Sequence, residues 1–320
     1  MRCTLIYNPA AGPNRAQRSE QIRRVASALT AQGHQIEAVS TTAPGSAIQQ
    51  TSNAASCAEI VFACGGDGTV HEVLQSLVSE TASPQTALGI IPLGSANALA
   101  RHLQLPLEPL AAAIAQINGK PQTISVGKLV SANQHRYFTV MAGAGPDGAL
   151  ARKVLASHKS TLGRLAYYLQ AAKLFLTHPF PTFEVEYREV ASNHLQSRPA
   201  VSVMTVRVGD LGGLFGRLAP RQASIHDQHL SLLILAPPAI LSLPLWFLSG
   251  WPNLHRLNPV LTFANATSLH CQPLASRETH FQADGEWLGQ LPISVSILPN
   301  ALRIMLPQKP FPKIENDSLG

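Results

Sequence analysis

Residues 59–78 have the sequence EIVFACGGDGTVHEVLQSLV, and this stretch decides the fold of the first part of the chain. An apolar run over 60–64 predicts a buried strand, and apolar residues at helical spacing after Thr69 predict an amphipathic helix. The glycines of the turn between them let main-chain N–H groups and the positive end of the helix approach phosphate oxygens. Asp67 would repel phosphates unless it works through a metal ion, a hydroxyl group or water. The alternative is a plain tight turn in which Asp67 caps the helix.

Two further strand-to-helix junctions have a similar pattern of small and polar residues. One lies within ALGIIPLGSANALARHL, where Gly94, Ser95 and Asn97 precede a helical run, and the other is NPAAG, which begins at Asn8. Ligands of open α/β sheets bind beyond the carboxyl ends of the strands, so we expect the three junctions to converge on one edge. Taken alone, each junction could be only turn chemistry.

The pattern of strand-like and helix-like segments changes after Lys120. Before it, strand-like and helix-like patterns alternate, which is typical of an α/β unit with a parallel sheet. After it, short β-type runs separated by turns predict an antiparallel β-sandwich-like domain, with one helical insert over 162–177. We therefore predict an α/β plus β-rich fold with domains at 1–122 and 123–305, and a C-terminal tail at 306–320 that could return to the first domain.

The composition excludes several classes of protein. Charged residues make up 13% and apolar residues 45% of the chain, which favours a folded protein over a disordered one. The net charge of +6 favours anionic partners, but the scattered basic residues and 6% aromatics argue against nucleic acid. The uncharged stretch 230–251 is interrupted by prolines, which predicts peripheral contact with a membrane rather than a span. The N-terminus has no signal region, so we expect a cytoplasmic protein.

Five motifs together resemble the diacylglycerol kinase catalytic family, which includes sphingosine and ceramide kinases and bacterial lipid kinases. In order, they are NPAAG, GGDGT, PLGSANALAR, AGAGPDG and QADGE, and they span nearly the whole chain. The resemblance implies transfer of the γ-phosphate of ATP to the hydroxyl group of a lipid, either diacylglycerol or a related lipid such as a sphingoid base. It also implies Mg²⁺ as a cofactor, an active site in the cleft between the domains, and a lipid substrate at a membrane surface.

The resemblance assigns nucleotide-binding positions in the first domain. They are Asn8, Thr41, Gly65, Gly66, Gly68, Thr69, Gly94, Ser95 and Asn97. It also places Asp67 in the network around magnesium and the nucleotide. Ser95 stands where the family has threonine.

In the second domain the resemblance assigns acidic positions. Asp147 matches a position that faces the cleft, and Asp284 matches the expected general base, with Glu286 in its supporting network. Asp67 is the rival for the role of base. Asp227 matches the aspartate of a structural magnesium loop, although the residue after it is glutamine instead of the usual glycine.

Two other functions are compatible with parts of this pattern. An NAD kinase also uses GGDGT, but it would need an Asn-Thr-Gly-x-Leu-Gly-Phe-like run where this chain has PLGSANALAR. A non-catalytic nucleotide or lipid sensor of the same fold would be expected to lose the acidic positions, and all of them are present.

Overall fold

The chain divides into two compact units. The computed structural model describes residues 1–12, 15–80, 85–156, 180–209, 223–238, 260–274 and 277–308. Unit 1 comprises Met1–Thr123 and the described residues from Leu302 onward, and unit 2 comprises Ile124–Ala301. The predicted helix at 162–177 and residues 239–251 of the apolar stretch lie outside the described residues.

The described residues form strands and helices in the following order along the chain. The strands are β1 (Arg2–Tyr7), β2 (Gln35–Ser40), β3 (Ile60–Gly65), β4 (Ala87–Pro92), β5 (Lys120–Ser131), β6 (His135–Phe138), β7 (Met141–Ala144), β8 (Phe183–Glu189), β9 (Leu195–Ala200), β10 (Ser202–Val206), β11 (Leu230–Leu235), β12 (Leu261–Pro273), β13 (His280–Ala283), β14 (Glu286–Gln290) and β15 (Ile293–Leu306). The helices are α1 (Arg18–Ala31), α2 (Ser46–Ala55), α3 (Asp67–Leu77), α4 (Ala98–His102), α5 (Pro109–Ile117) and α6 (Pro146–Ala156).

Unit 1 contains a parallel sheet in the order β15–β4–β3–β1–β2. Every residue of β3 and β4 is buried, as expected for central strands that are covered on both faces. Helix α1 packs Ile22, Val25 and Leu29 into the same core as Phe62 of β3. The predicted α/β unit with a parallel sheet is confirmed.

Unit 2 is built from antiparallel strands in the order β14–β13–β7–β10–β11–β12–β15. The first half of β12 pairs with β11, whereas its second half pairs with β15 and with the β8–β9 hairpin. A long strand that changes partners in this way connects the layers of a β-sandwich or barrel. The predicted β-rich second domain is therefore confirmed.

The structure divides one predicted strand and places part of the uncharged stretch in another. The predicted strand over 136–142 is divided into β6 and β7, because Thr139 and Val140 donate their N–H groups to a side chain instead of a neighbouring strand. Residues 230–235 of the uncharged stretch form the fully buried strand β11. Among the residues that the structure describes, no helix is long and apolar enough to cross a membrane.

Candidate functional site

Two glycine loops of unit 1 lie against each other. A Cβ atom built on Gly94 would lie 2.5 Å from the Cα atom of Gly66, closer than non-bonded carbons approach. A Cβ atom on Gly65 would lie 2.2 Å from Oγ1 of Thr69. Gly94 therefore has no room for a side chain where its loop meets the β3–α3 loop, and Gly65 has none beside Thr69.

Asp67 links these two loops by hydrogen bonds. Its carboxylate accepts the main-chain N–H groups of Asn97, at 2.9 Å, and Ala98, at 2.7 Å, at the beginning of α4. Asn97 has a left-handed backbone, with φ of 51°, and its side-chain amide binds both the N–H and the carbonyl group of Gly94. Asp67 thus caps the beginning of α4.

The first junction follows β1. The main-chain N–H of Asn8 donates to the carbonyl oxygen of Cys64 at the end of β3, and its side-chain oxygen accepts the N–H of Ala10. Thr41 follows the neighbouring strand β2, and its N–H donates to the carbonyl oxygen of Tyr7. Both predicted residues therefore lie at the carboxyl ends of adjacent strands.

Arg18 connects two of the loops and was not predicted from the sequence. Its Nη2 atom donates to the carbonyl oxygens of Ala11, at 2.7 Å, and Leu93, at 3.1 Å, and the residue is only 3% exposed. Burial lowers the pKa of this guanidinium. A Cβ atom on Gly12 would lie 2.1 Å from the Leu93 oxygen, so NPAAG needs its glycine for this approach. Nothing in the sequence distinguishes Arg18 from the other arginines of a charged helix.

Glu72 is a second residue of the site that was not predicted from the sequence. It lies one turn after Thr69 on α3, and its carboxylate accepts the N–H groups of Gly45, at 2.9 Å, and Ala47, at 3.2 Å. These bonds attach the beginning of α2 to α3. The only signal in the sequence is the position of Glu72 three residues after Thr69, which places both on the same helix face.

The loops that follow β1, β2 and β3 surround a cavity of about 490 Å³. Its lining includes five of the predicted nucleotide-binding residues together with the 42–44 loop and Glu72; the five are Asn8, Thr41, Gly66, Gly68 and Thr69. Gly65, Gly94 and Asn97 do not line it but hold its loops in place, and Ser95 is exposed. The structure therefore brings most of the predicted nucleotide site together.

The chemistry of this cavity suits a nucleotide accompanied by Mg²⁺. Neither lysine nor arginine is among the described residues that line it, so the negative charge of phosphates would need another cation. The side-chain oxygens of Asn8 and Glu72 already accept main-chain N–H groups. The lining also carries the hydroxyl groups of Thr41, Thr42 and Thr69, and oxygen is the ligand atom that Mg²⁺ prefers. The amino-terminal end of α3 supplies main-chain N–H groups for phosphate oxygens.

Asp284 occupies a tight hairpin turn in unit 2. Both Asp284 and Gly285 have positive φ angles, 48° and 87°, as in the two-residue Asp-Gly turn that joins antiparallel strands. Oδ1 of Asp284 accepts the N–H groups of Val140, at 2.9 Å, and Met141, at 3.0 Å, and Oδ2 accepts that of Thr139, at 3.0 Å. The three main-chain donors hold the carboxylate in one orientation.

Asp147 lies in the first turn of α6 and is joined to the same hairpin by Gln282. The side-chain nitrogen of Gln282 donates to Oδ2 of Asp147 at 3.2 Å, and its side-chain oxygen accepts the N–H of Gly285 at 2.8 Å. Burial raises the pKa of Asp147 to about 6, although the hydrogen bond from Gln282 lowers it. Gln282 was missed as a site residue even though it belongs to the QADGE motif. Glu286 is the first residue of β14, opposite Ala283.

The described residues do not fit a metal ion at Asp227. Oδ2 of Asp227 accepts the N–H group of Ser224 at 2.8 Å, which closes a local turn. Across the part of the chain that the structure describes, no three histidine, cysteine or acidic side chains form a group that could hold a metal. The magnesium ligand predicted at Asp227 is therefore not supported.

Comparison with known proteins agrees with this two-unit architecture. The diacylglycerol kinase catalytic domain matches residues 2–129, and the YegS C-terminal NAD kinase beta sandwich-like domain matches residues 139–306. A diacylglycerol kinase of Bacillus subtilis (strain 168) is 28% identical over 98% of this chain and 99% of its own length. A YegS-like lipid kinase of Pectobacterium atrosepticum is 30% identical over 78% of this chain and 79% of its own length.

A solved structure gives the same fold. A crystal structure of a protein described as a diacylglycerol kinase, from Bacillus anthracis str. Sterne, superimposes with a TM-score of 0.73 at 22% identity and covers 95% of both chains. Both domain matches fall on the two structural units in the same order. The chain therefore belongs to the family of proteins that join a diacylglycerol kinase catalytic domain to a YegS C-terminal NAD kinase beta sandwich-like domain.

Proposed function

We propose that this protein is an ATP-dependent lipid kinase, which phosphorylates diacylglycerol or a related lipid such as a sphingoid base. The observation that carries the proposal is the pair of glycine loops, joined through Asp67, beside a cavity with the beginning of α3 at its edge. This is the arrangement that phosphate groups of a nucleotide require. The names of the relatives, diacylglycerol kinase and YegS-like lipid kinase, support a lipid as the acceptor.

In this proposal unit 1 binds ATP. The 41–44 loop would receive the nucleoside end of ATP, and Gly66, Gly68 and Thr69 would bind the phosphates. Asp67 and Thr69 would organise Mg²⁺, which supplies charge neutralisation during phosphoryl transfer when it is bound with the nucleotide.

Asp284 is the proposed general base. It would accept the proton of the lipid hydroxyl group while the hydroxyl oxygen forms a bond to the γ-phosphorus and the bond to the ADP oxygen breaks. Its fixed orientation favours this role, because a base must be held within hydrogen-bond reach of the proton that it takes. Asp147 and Glu286 are proposed to act in the acidic network around this base. The lipid substrate is proposed to lie at a membrane surface that the protein contacts peripherally.

The proposal is tested by incubating the full chain with γ-labelled ATP, Mg²⁺ and a panel of acceptors. The panel contains diacylglycerol, sphingoid base, ceramide, monoacylglycerol and phosphatidylglycerol in mixed micelles, with NAD⁺ in a separate reaction. Label in a lipid product supports the proposal. Label in NAD⁺ alone would make the protein an NAD kinase, and nucleotide binding without transfer to any acceptor would make it a sensor.

The base is tested with Asp284→Asn, Asp147→Asn and Asp67→Asn at saturating ATP. We expect Asp284→Asn to lower kcat by about 10²–10⁴-fold with nearly unchanged ATP affinity. The circular dichroism spectrum and the unfolding midpoint of each variant show whether it is folded. Near-normal turnover in a folded Asp284→Asn variant, with a large loss in Asp67→Asn, would transfer the role to Asp67.

A further inference from the structure

Arg207 is a buried charged residue that the proposed reaction does not use. It directly follows β10 in unit 2, is 1% exposed, and ranks first by volume among the fully buried side chains of the described residues. A buried guanidinium is costly unless its charge is compensated, so its surroundings should explain its presence.

Main-chain carbonyl groups surround one end of this guanidinium. Its Nη2 atom donates to the carbonyl oxygens of Ser125 and Ile225, both at 2.9 Å, and more weakly to that of Asp227 at 3.4 Å. Clusters of main-chain carbonyl and carboxylate oxygens are the usual ligands of hard cations in proteins. In this chain the cation inside the cluster is an arginine.

The charge of Arg207 is balanced by two nearby carboxylates. Burial lowers the pKa of Arg207 to about 10, while the Asp227 and Asp284 carboxylates raise it, so the guanidinium stays protonated at neutral pH. Its Nε and Nη1 atoms make no hydrogen bond within the described part of the chain. The carboxylates therefore compensate the charge by proximity.

A metal ion and this guanidinium cannot share the carbonyl cluster. Mg²⁺ would lie about 2.1 Å, and Ca²⁺ about 2.3–2.6 Å, from its oxygen ligands. An ion at that distance from the Ser125 and Ile225 oxygens would overlap Nη2 and repel its charge. The Asp227 side chain is also held in its own turn by the N–H of Ser224.

Arg207 is connected to Asp284 through one residue. The main-chain N–H of Arg207 donates to the carbonyl oxygen of Val140 at 2.9 Å. The N–H of Val140 in turn donates to Oδ1 of Asp284 at 2.9 Å. The residue that fills the carbonyl cluster therefore also holds the segment that orients Asp284.

We propose that the Arg207 guanidinium is a built-in cation that replaces a structural metal ion at the Asp227 turn. By fixing residue 207, it would also keep in place the main-chain N–H that binds Val140 in the segment around Asp284. The first part is independent of the proposed function. The second part rests on it, because it concerns the orientation of the proposed base.

The first test measures metal dependence in the full-length, nucleotide-free protein. Thermal unfolding midpoints are recorded in EDTA, Mg²⁺ and Ca²⁺ for the wild type and for Asp227→Asn, a substitution that keeps an oxygen to accept the Ser224 N–H. We expect the two proteins to respond equally to chelator and ions. A rise of about 5 °C or more with an ion in the wild type that is lost in Asp227→Asn would overturn the proposal, since it would reveal a metal at this turn.

The second test compares Arg207→Lys with Arg207→Met. Lysine retains a positive charge and N–H donors for the carbonyl oxygens, whereas methionine is similar in length but has neither. We expect the lysine variant to unfold at a higher temperature than the methionine variant. A methionine variant that fails to fold, while the lysine variant folds, would also support the proposal. Equal midpoints for the two variants would overturn the proposal.

The positioning of Asp284 is tested by lipid phosphorylation with the same pair. We expect Arg207→Lys to retain more of the wild-type kcat than Arg207→Met, with similar KM for ATP in both variants. Equal kcat in folded lysine and methionine variants would overturn this second part. If the wild type shows no kinase activity, the proposed function fails, whereas the unfolding experiments still decide whether Arg207 replaces a metal.

Discussion

Asp67→Asn should destabilise unit 1 as well as impair the nucleotide site. Both oxygens of the Asp67 carboxylate accept main-chain N–H groups at the beginning of α4, from Asn97 at 2.9 Å and Ala98 at 2.7 Å. Asparagine has one carbonyl oxygen and one NH₂ group, so it keeps one of these bonds and places a donor against the other N–H. The β4–α4 loop would then lose part of its attachment to the β3–α3 loop.

The magnitude follows from the loss of one charge-assisted hydrogen bond and the stranded N–H group. Such a change costs about 1–3 kcal/mol in a partly buried site. If the 320-residue chain unfolds as one unit, the melting temperature should fall by about 1.5–4.5 °C. Because Gly94 of the displaced loop contacts Gly66, ATP affinity should fall as well.

The assay is thermal and urea unfolding of the full-length protein, together with calorimetric titration of ATP and Mg²⁺. Glu37→Gln is the matched control, because Glu37 is exposed on β2 and the same chemical change there should shift stability by no more than about 0.5 kcal/mol. If Asp67→Asn unfolds like this control, Asp67 does not hold the two loops together and our reasoning is refuted. Reduced ATP affinity without loss of stability would show that Asp67 contributes to ligand binding but does not hold the loops together.

Three further predictions concern the same two units. Glu72→Gln should lower ATP affinity by about 5- to 30-fold in calorimetry, because the loop before α2 loses one of its two carboxylate contacts; an unchanged affinity would contradict this. Gly94→Ala should lower the free energy of unfolding in urea by about 1–3 kcal/mol, and by more than Gly66→Ala does. The Cβ atom added at Gly94 would lie 2.5 Å from the opposite glycine, whereas that added at Gly66 would lie 3.3 Å away. A larger loss for Gly66→Ala would contradict this prediction. The pKa of Asp147 is raised in the folded state to about 6, so the folded protein binds the additional proton between about pH 4 and 6. Relative to Asp147→Asn, the wild type should therefore gain stability as the pH falls from 7 to 4, and parallel pH profiles would show that Asp147 does not titrate in this range.

The central strands of unit 1 could be predicted from sequence because their burial is visible in the sequence itself. Apolar runs over 3–7, 60–64 and 87–91 predict β1, β3 and β4, and the observed strands extend these runs by only one residue at an end. Helix α2 was missed because its buried residues, Ala47, Thr51 and Ala54, are small or polar and give a weak apolar pattern. Its beginning is held by Glu72, a contact between residues 25 and 27 positions apart that local sequence does not reveal.

Strand β12 was missed for a related reason. The sequence of β12, LTFANATSLHCQP, alternates buried and exposed positions irregularly and contains several polar residues. It is stabilised by pairing with β11, β15 and β8 rather than by a continuous apolar face. Those pairings depend on where distant parts of the chain lie, which a single sequence does not specify.

The dependence on contacts between distant parts of the chain also explains which site residues could be recognised from the sequence. The Gly-rich loops were identified because a glycine's backbone freedom is a property of the residue itself. The partners that hold them, Arg18 and Glu72, act through main-chain groups of other elements, and any residue can provide a main-chain carbonyl or N–H group. Sequence therefore indicates where a ligand could bind more readily than it indicates what keeps the site in shape.

The division of the predicted strand over 136–142 connects the fold of unit 2 to its proposed chemistry. A single continuous strand over 136–142 would direct the N–H groups of Thr139 and Val140 to neighbouring strands. The chain instead bends, and these groups, with that of Met141, bind the carboxylate of Asp284. The strand break and the Asp-Gly turn therefore depend on each other. The break provides the main-chain N–H groups, and the turn provides the carboxylate that accepts them. Loss of the Asp284 carboxylate would leave N–H groups without their acceptor, so a fold defect and a catalytic defect must be measured separately at this position.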